Sequence, residues 1–318
     1  MRVLIIGGTG LVGRYLLDRC RAIGYEVAVV TRSADRVPLP ARAIVADISK
    51  AGWAVGAGID PFSFDMVVHL AYATTQDAVY DRTVTVDSVV EILHHFKGSS
   101  LKHFIYLGSM SVFGIELPPG QLDETAPRVP DNDYAQNKID ASAAAMGADV
   151  SFKVSVLHPT GVYSATSKRL KSYREMLAYG YLVLDAGGRG INNIIHADDV
   201  AAAILACATR QKGERAEEYL VNGEAIKYSE WFTVLEQQLG VADQHRVPAK
   251  LSSLCRGPLR RILQAARLRF PIIMPAYKRA IFERDTLIVP DKAATHFGWQ
   301  PCLRFKNVIA RDEGGATE

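Results

Sequence analysis

The sequence predicts an α/β protein, a Rossmann-type doubly wound parallel sheet carrying a smaller C-terminal α/β substrate lobe. Three observations predict it. An apolar run enters a glycine-rich turn and a helix within the first thirty-three residues; further short apolar runs alternate with helical patterns; and the fifth run ends on hydroxyl side chains, where open α/β sheets bind ligand. At 318 residues the chain exceeds most single domains. The expected division assigns residues 1–162 plus 194–222 to the nucleotide-binding part and 163–193 plus 223–318 to the lobe.

The N-terminal unit comes first. Val3-Leu4-Ile5-Ile6 is the continuous apolar run of a strand buried on both faces. Gly7, Gly10 and Gly13 in the turn Gly7-Gly8-Thr9-Gly10-Leu11-Val12-Gly13 let backbone approach a pyrophosphate and seat the following helix against the strand. That helix presents free N–H groups and a positive dipole end to the phosphates. Leu11, Val12, Tyr15, Leu16, Ala22 and Ile23 form its apolar face, Gly24 stops it, and Val27-Ala28-Val29-Val30 is the second strand. Strand and helix flank the glycines at the distances a dinucleotide site requires.

Arg32 stands where the second strand ends, in place of the acidic residue that usually holds both ribose hydroxyls of NAD. A guanidinium pairs a 2′-phosphate bidentately, so NADP(H) is favoured over NAD(H); an Arg32 merely solvated beyond the strand would leave NAD(H) open. Ala43 to Ala46 is the third strand, after which Asp47 and Ile48 are placed to meet an adenine, with an N-cap as the other reading of Asp47. Trp53 to Phe64, rich in glycine and proline, reads as a surface loop. Asp65 to Ala71 is the fourth strand, with His69 as a core histidine and small Ala71, after Leu70, suited to packing on a cofactor. Val84 to Phe96 is helical, with Val86, Val89, Val90, Leu93 and Phe96 on one face. His94 and His95, adjacent on that helix, diverge and make a poor metal site.

The fifth strand, His103 to Leu107, runs into Gly108-Ser109-Met110-Ser111. An approach loop with four prolines spans Pro118 to Pro130, and Asp131-Asn132-Asp133 caps a helix that carries Tyr134 and Lys138 on one face. Hydride transfer at a carbinol carbon needs a group that moves a proton at the oxygen in the same step. A free phenol, with a pKa of about 10, is a competent acid but needs a neighbouring positive charge to act as a base. Tyr134 is therefore the candidate proton donor or acceptor, Lys138 its cationic neighbour, and Ser109 the hydroxyl that stabilises charge on the same oxygen.

Taken with those pieces, the chain resembles the extended short-chain dehydrogenase/reductase superfamily, also called the NAD-dependent epimerase/dehydratase family. The resemblance rests on the glycine turn, Asp47-Ile48, His69-Leu70-Ala71, Ser109, Tyr134-Ala135-Gln136-Asn137-Lys138, His158-Pro159-Thr160-Gly161-Val162-Tyr163, Ile195 to Val200 and Phe297-Gly298-Trp299-Gln300-Pro301, in family order over almost the whole chain. It implies catalysis by Ser109, Tyr134 and Lys138. The cofactor contacts it implies are Gly7, Thr9, Gly10, Leu11, Val12, Gly13, Leu70, Ala71 and Tyr134, with Lys138 on the nicotinamide ribose and Pro159 to Val162 beside the nicotinamide. A homodimer is expected by the same analogy.

The chain also departs from the family pattern. Thr85 stands where an asparagine often serves a proton relay, and Met110-Ser111 replaces the acidic pair of 4,6-dehydratases, which argues against that reaction. Asn192-Asn193 replaces an arginine that anchors nucleotide diphosphates; Arg189 is a candidate substitute, unless Gly187 to Gly190 is only a turn.

In the lobe, Lys168 to Tyr181 reads as a basic helix, Leu182 to Leu184 as a strand, Val200 to Ala208 as a helix capped by Asp198-Asp199, and Ser229 to Leu239 as an amphipathic helix. The segment from Leu251 to Phe282 mixes arginines with large apolar residues. It fits a substrate with an apolar body, a solvated helix, or attachment to acidic lipid.

Composition sets the outer bounds. With 48% hydrophobic and 22% charged residues the chain has ample core, and a net charge of +3 gives no footprint for nucleic acid. No apolar run is long enough to span a membrane, and four separated cysteines fit a reducing cytoplasm. The reading that results is an oxidoreductase acting on a small molecule with NAD(P)(H). A nucleotide-sugar epimerase holding NAD tightly is the alternative, and a cofactor-sensing regulator ranks last because Tyr134 and Lys138 are both present.

Overall fold

The computed structural model describes residues 1–75, 77–178, 188–240 and 283–312. Seven strands form one parallel sheet: β1 (Arg2–Ile6), β2 (Glu26–Thr31), β3 (Arg42–Val45), β4 (Met66–His69), β5 (His103–Leu107), and, after a short β6 (Gly120–Leu122), β7 (Lys153–Pro159) and the later Ala216–Val221. Between these last two lie β8 (Gly161–Tyr163) and β9 (Ile191–His196), which makes Ala216–Val221 β10; β11 (Glu224–Lys227) and β12 (Thr286–Ile288) follow. The sheet order is β10-β7-β5-β4-β1-β2-β3, the doubly wound arrangement expected, with its reversal between β1 and β4.

Side chains alternate along each strand, so the sheet builds a core on each face. Val3, Ile5, Val68 and Ile105 face one side with α1 (Leu11–Ala22); Leu4, Ile6, Val67 and Tyr106 face the other. The second face is covered by a short α2 (Trp53–Gly56), a helical stretch running from α3 (Ala78–Arg82) into α4 (Ser88–His95), and α5 (Asp133–Met146). The lobe adds α6 (Lys168–Ala178), α8 (Tyr228–Leu239) and α10 (Phe305–Asp312), while α7 (Ala197–Ala208) returns to pack beside α1 and α9 (Asp291–Phe297) sits against α7 and β10. Arg19 of α1 grips Asp198 of α7 bidentately, Nε–Oδ1 at 2.5 Å and Nη2–Oδ2 at 2.9 Å.

Three local readings change. The stretch from Trp53 to Phe64 is not a surface loop: Trp53, Ala54, Ile59 and Phe64 are buried, and Glu91 accepts the Gly52 and Ala54 amides. Gly56, Gly58 and Pro61 turn the chain between buried apolar residues. The helix expected from Val84 begins at Ala78, capped by Asp77, and widens into a π-helical turn at Thr83–Asp87. That extra residue rotates the helix face, so Val84, Thr85 and Val86 are all buried and Val90 turns out half-exposed. His196, not Asp198 or Asp199, caps α7; Asp198 serves Arg19, and buried Asp199 accepts the Cys302 and Leu303 amides. β9 itself joins a three-stranded sheet with β8 and β11, sending Ile195 into the nucleotide-side core and Ile194 into the core of the lobe. The expected strand Leu182 to Leu184 and the segment from Leu251 to Phe282 lie outside the described residues. Among the described residues no helix is long and apolar enough to cross a membrane.

His69 is a core histidine as read, its Nε2 2.9 Å from Ser88 Oγ, and buried His103 pairs with Ser155 Oγ at 2.9 Å. Burial drives both imidazoles down to about 3. The native state thus refuses a proton that the unfolded chain takes up below about 6.5, so each histidine withdraws stability as pH falls from there toward 3 and is without effect above that window. Thermal unfolding is expected to show Tm falling between about pH 7 and pH 5, with a shallower slope for His103→Gln. A Cβ on Gly13 would lie 2.4 Å from the Gly8 carbonyl oxygen, so Gly13→Ala is expected to cost about 1–3 kcal/mol in denaturant unfolding.

Candidate active site

The site begins where β1 ends. Gly7, at φ +86°, carries the chain so close to β4 that a Cβ would stand 2.8 Å from the Ala71 nitrogen. The Gly10 amide closes the turn onto the Gly7 carbonyl at 3.1 Å, and Gly10 starts α1 without a side-chain cap. The first N–H groups of α1 are therefore left for another acceptor. A cavity of about 510 Å³ opens here, at the carboxyl ends of the strands.

Gly7, Gly10, Leu11, Val12, Gly13 and Leu70 line it on one side, Ser109, Tyr134 and Lys138 on another, and Pro159 and Val162 complete the wall. Five of the expected cofactor contacts lie outside that lining. Thr9 is half-buried within the turn, and Ala71 supports Gly7 from β4. Arg32 is exposed past β2, its Nη1 3.4 Å from the Tyr80 hydroxyl. Asp47 accepts the Ser49 amide at 3.1 Å and the Ser49 hydroxyl at 2.8 Å, a local turn that holds its carboxyl below the usual range; Ile48 packs toward the core. Pairing of Thr31 with Val45 sets Arg32 and Asp47 at neighbouring strand ends.

Asn132 caps α5 by accepting the Ala135 amide at 2.9 Å, and the four-residue spacing puts Tyr134 and Lys138 on the same side of the helix. Burial pushes the Tyr134 phenol up to about 12, against the lowering influence of neighbouring Ser109. Ser109 Oγ accepts from the Ser111 hydroxyl at 2.9 Å, which leaves its own proton to give. Lys138 is fully buried and donates to the Leu107 carbonyl at 2.7 Å, with its ammonium 5.2 Å from the Tyr72 ring centre and 4.7 Å from that of Tyr106. Burial lowers it to about 7. The Lys138 amine thus faces a carbonyl and two aromatic rings.

The cavity brings in residues that the sequence did not single out. Tyr72 follows Ala71 directly and meets the Tyr134 ring edge-on at 5.6 Å. Arg169 from α6, Arg284 ahead of β12, and Tyr228 at the start of α8 line the lobe side together with Asn192. Arg284 is largely buried, with Nε unpartnered among the described residues, and both burial and the neighbouring Arg169 charge lower its pKa. Gly161 leaves the room that Arg169 Nη1 fills, 2.5 Å from where a Cβ would stand. Arg189 is exposed and outside the lining. Asn193 ties β9 to β12 through the Thr286 carbonyl and the Ile288 amide. Only Tyr72 had a sequence signal, its place beside the fourth strand end; the arginines come from segments more than a hundred residues apart that packing alone unites.

Comparison with known proteins agrees with this fold. The chain is 24% identical over 271 residues, 79% of its length and 86% of the other, to a 3-diazoavenalumate denitrifying reductase of a Streptomyces species. It is 28% identical over 259 residues, 72% of its length and 68% of the other, to a 3-beta-hydroxysteroid dehydrogenase of Mycolicibacterium neoaurum. Its fold superposes on the Thermus thermophilus UDP-glucose 4-epimerase complex with NAD at a TM-score of 0.74, with 21% identity and all of both chains covered. The pattern of the NAD dependent epimerase/dehydratase family matches residues 3–221. The chain belongs to that family, as an NAD(P)-dependent enzyme of the extended short-chain dehydrogenase/reductase kind.

Proposed function

We propose that the protein transfers hydride reversibly at a secondary alcohol or ketone carbon of a small molecule, with NADP(H) preferred to NAD(H) and Tyr134 as the proton donor and acceptor. The observation that carries this reading is that Ser109, Tyr134 and Lys138 line the same cavity as the glycine turn. The backbone cradle of Gly7, Gly10 and Gly13 and the uncapped start of α1 fit a pyrophosphate, because a Cβ at Gly7 or Gly13 would collide with backbone and the free N–H groups suit an anion. A nicotinamide dinucleotide held there would supply or take up the hydride.

In the reducing direction, Tyr134 donates its proton to the carbonyl oxygen and Ser109 donates a hydrogen bond to the same oxygen as charge gathers on it. Lys138, fixed by the Leu107 carbonyl, is placed to meet ribose hydroxyls. Pro159 and Val162 form the wall expected beside the nicotinamide. Arg32, exposed at the end of β2, supports the preference for a 2′-phosphate.

The second reading, epimerisation of a nucleotide sugar with retained NAD, is favoured by one observation. Arg169 and Arg284 converge on the lobe side of the cavity with no carboxylate partner among the described residues, an arrangement suited to an anionic substrate. The two readings separate on purified protein. NADPH oxidation with cyclohexanone, acetophenone or a 3-ketosteroid supports net reduction; conversion of UDP-glucose with no net absorbance change and a dinucleotide retained through purification supports epimerisation.

Tyr134→Phe is expected to cut turnover by about 10²–10⁴-fold while the Kd for the dinucleotide stays within about twofold. Arg32→Ser is expected to weaken NADPH roughly ten- to a hundredfold in fluorescence titration and to leave NADH unchanged. Equal losses for both cofactors would remove Arg32 from the 2′-phosphate.

A further inference from the structure

Behind Ser109 stands a polar chain that the proposed chemistry does not use. His158, on β7 and fully buried, places Nδ1 3.2 Å from the Ser109 amide nitrogen and 3.2 Å from the Ser109 carbonyl oxygen. Its Nε2 faces Glu218 Oε1 on the neighbouring strand β10 at 3.4 Å. The second Glu218 oxygen is paired with Arg128, which belongs to the approach loop. The Arg128 guanidinium lies 4.3 Å over the Phe113 ring, and Phe113 closes the short 3₁₀ turn that Ser109 begins. The Val129 amide donates to the Val112 carbonyl at 2.9 Å, fastening the loop to the same turn. The circuit therefore leaves Ser109 by one route and returns to it by the other.

The contacts determine each other. The Glu218 carboxylate facing Nε2 favours the ring proton there, which leaves Nδ1 to accept the Ser109 N–H. Burial raises the Glu218 carboxyl, but its contacts with His158 and the Arg128 guanidinium outweigh it and hold the group down at about 2. The carboxylate is thus ionised throughout the working range and selects the tautomer. Gly108 completes the fit, because a Cβ there would stand 2.5 Å from His158 Nδ1 and force the ring off the serine amide.

We propose that His158, Glu218 and Arg128 are positioning residues that hold the Ser109 turn at the distance and angle its hydroxyl needs, and that they couple this turn to the approach loop. The proposal rests on the reading of Ser109 as the donor to the substrate oxygen. A serine hydroxyl contributes only when its oxygen lies within hydrogen-bond reach of the reacting oxygen, and an error of about 1 Å costs on the order of a hundredfold. The turn holding Ser109 is short and lies at a strand end, so the sheet alone does not set that distance.

The test uses the full chain, NADPH and whichever ketone of the three named above the native protein reduces fastest. Glu218→Gln keeps the shape and removes the charge. It is expected to lower kcat roughly ten- to a hundredfold with KM and NADPH Kd within about twofold, and Glu218→Asp to recover part of the loss. In a Ser109→Ala background the same change is expected to cost less than about twofold, since the group it positions is gone. Nitrogen-15 spectra of the histidines should show Nδ1 of His158 unprotonated in the native protein. A kcat unaffected by Glu218→Gln, an undiminished loss in the Ser109→Ala background, or a protonated Nδ1 would each overturn the proposal. Full activity of Ser109→Ala, or reduction of none of the ketones, would instead overturn the functional reading beneath it, and the nitrogen spectra would still report whether the circuit exists.

Discussion

The backbone of the glycine turn passes the end of β4 with no space for a side chain, and the geometry of the site depends on that contact. At Gly7 a Cβ would meet the Ala71 nitrogen at 2.8 Å, and at Gly13 it would meet the Gly8 carbonyl oxygen at 2.4 Å. These approaches join β1, α1 and β4 at the reversal point of the sheet, where two neighbouring strands send their connections to opposite faces and leave a crevice between them. The parallel register then brings β5 and β7 to the same edge, with Leu107 beside Leu157. Ser109 and Pro159 follow from those ends, and α5 crosses above them carrying Tyr134 and Lys138.

Within that crevice, charge is managed by burial more than by pairing. Lys138 has a carbonyl and two aromatic faces around it rather than a carboxylate, so its ammonium is costly to keep and its pKa falls; the Tyr134 phenol rises for the same reason and stays protonated. The lobe side repeats the theme, with Arg284 largely buried and beside Arg169. A site built this way gains from any ligand that delivers negative charge, because the anion relieves groups the protein leaves uncompensated.

Much of the fold was legible because strands buried on both faces are continuous apolar runs and the glycine turn has one geometric solution. The first five strands, α1, α5 and the cap at Asn132 stand where the pattern placed them. Misreadings occurred where a local signal had two outcomes. Glycine and proline between Trp53 and Phe64 meant turns, yet the residues between them fill the core. The π-helical turn at Thr83–Asp87 moved Val90 out of a face that a regular period had assigned to it. Asp198 and Asp199 looked like caps and instead serve Arg19 and the Cys302–Leu303 amides, more than a hundred residues away in each case.

The sequence by itself determined the class of the sheet, the glycine cradle and the pairing of Tyr134 with Lys138, because each depends on spacing within one strand, one turn or one helix. Tertiary structure alone decided what stands around them. The Lys138 ammonium meets the Leu107 carbonyl, Arg169 and Arg284 arrive from separate segments, and His158, Glu218 and Arg128 close behind Ser109. Those contacts join strands and loops whose separation along the chain carries no periodic signal, so only the packed sheet brings them within hydrogen-bond reach.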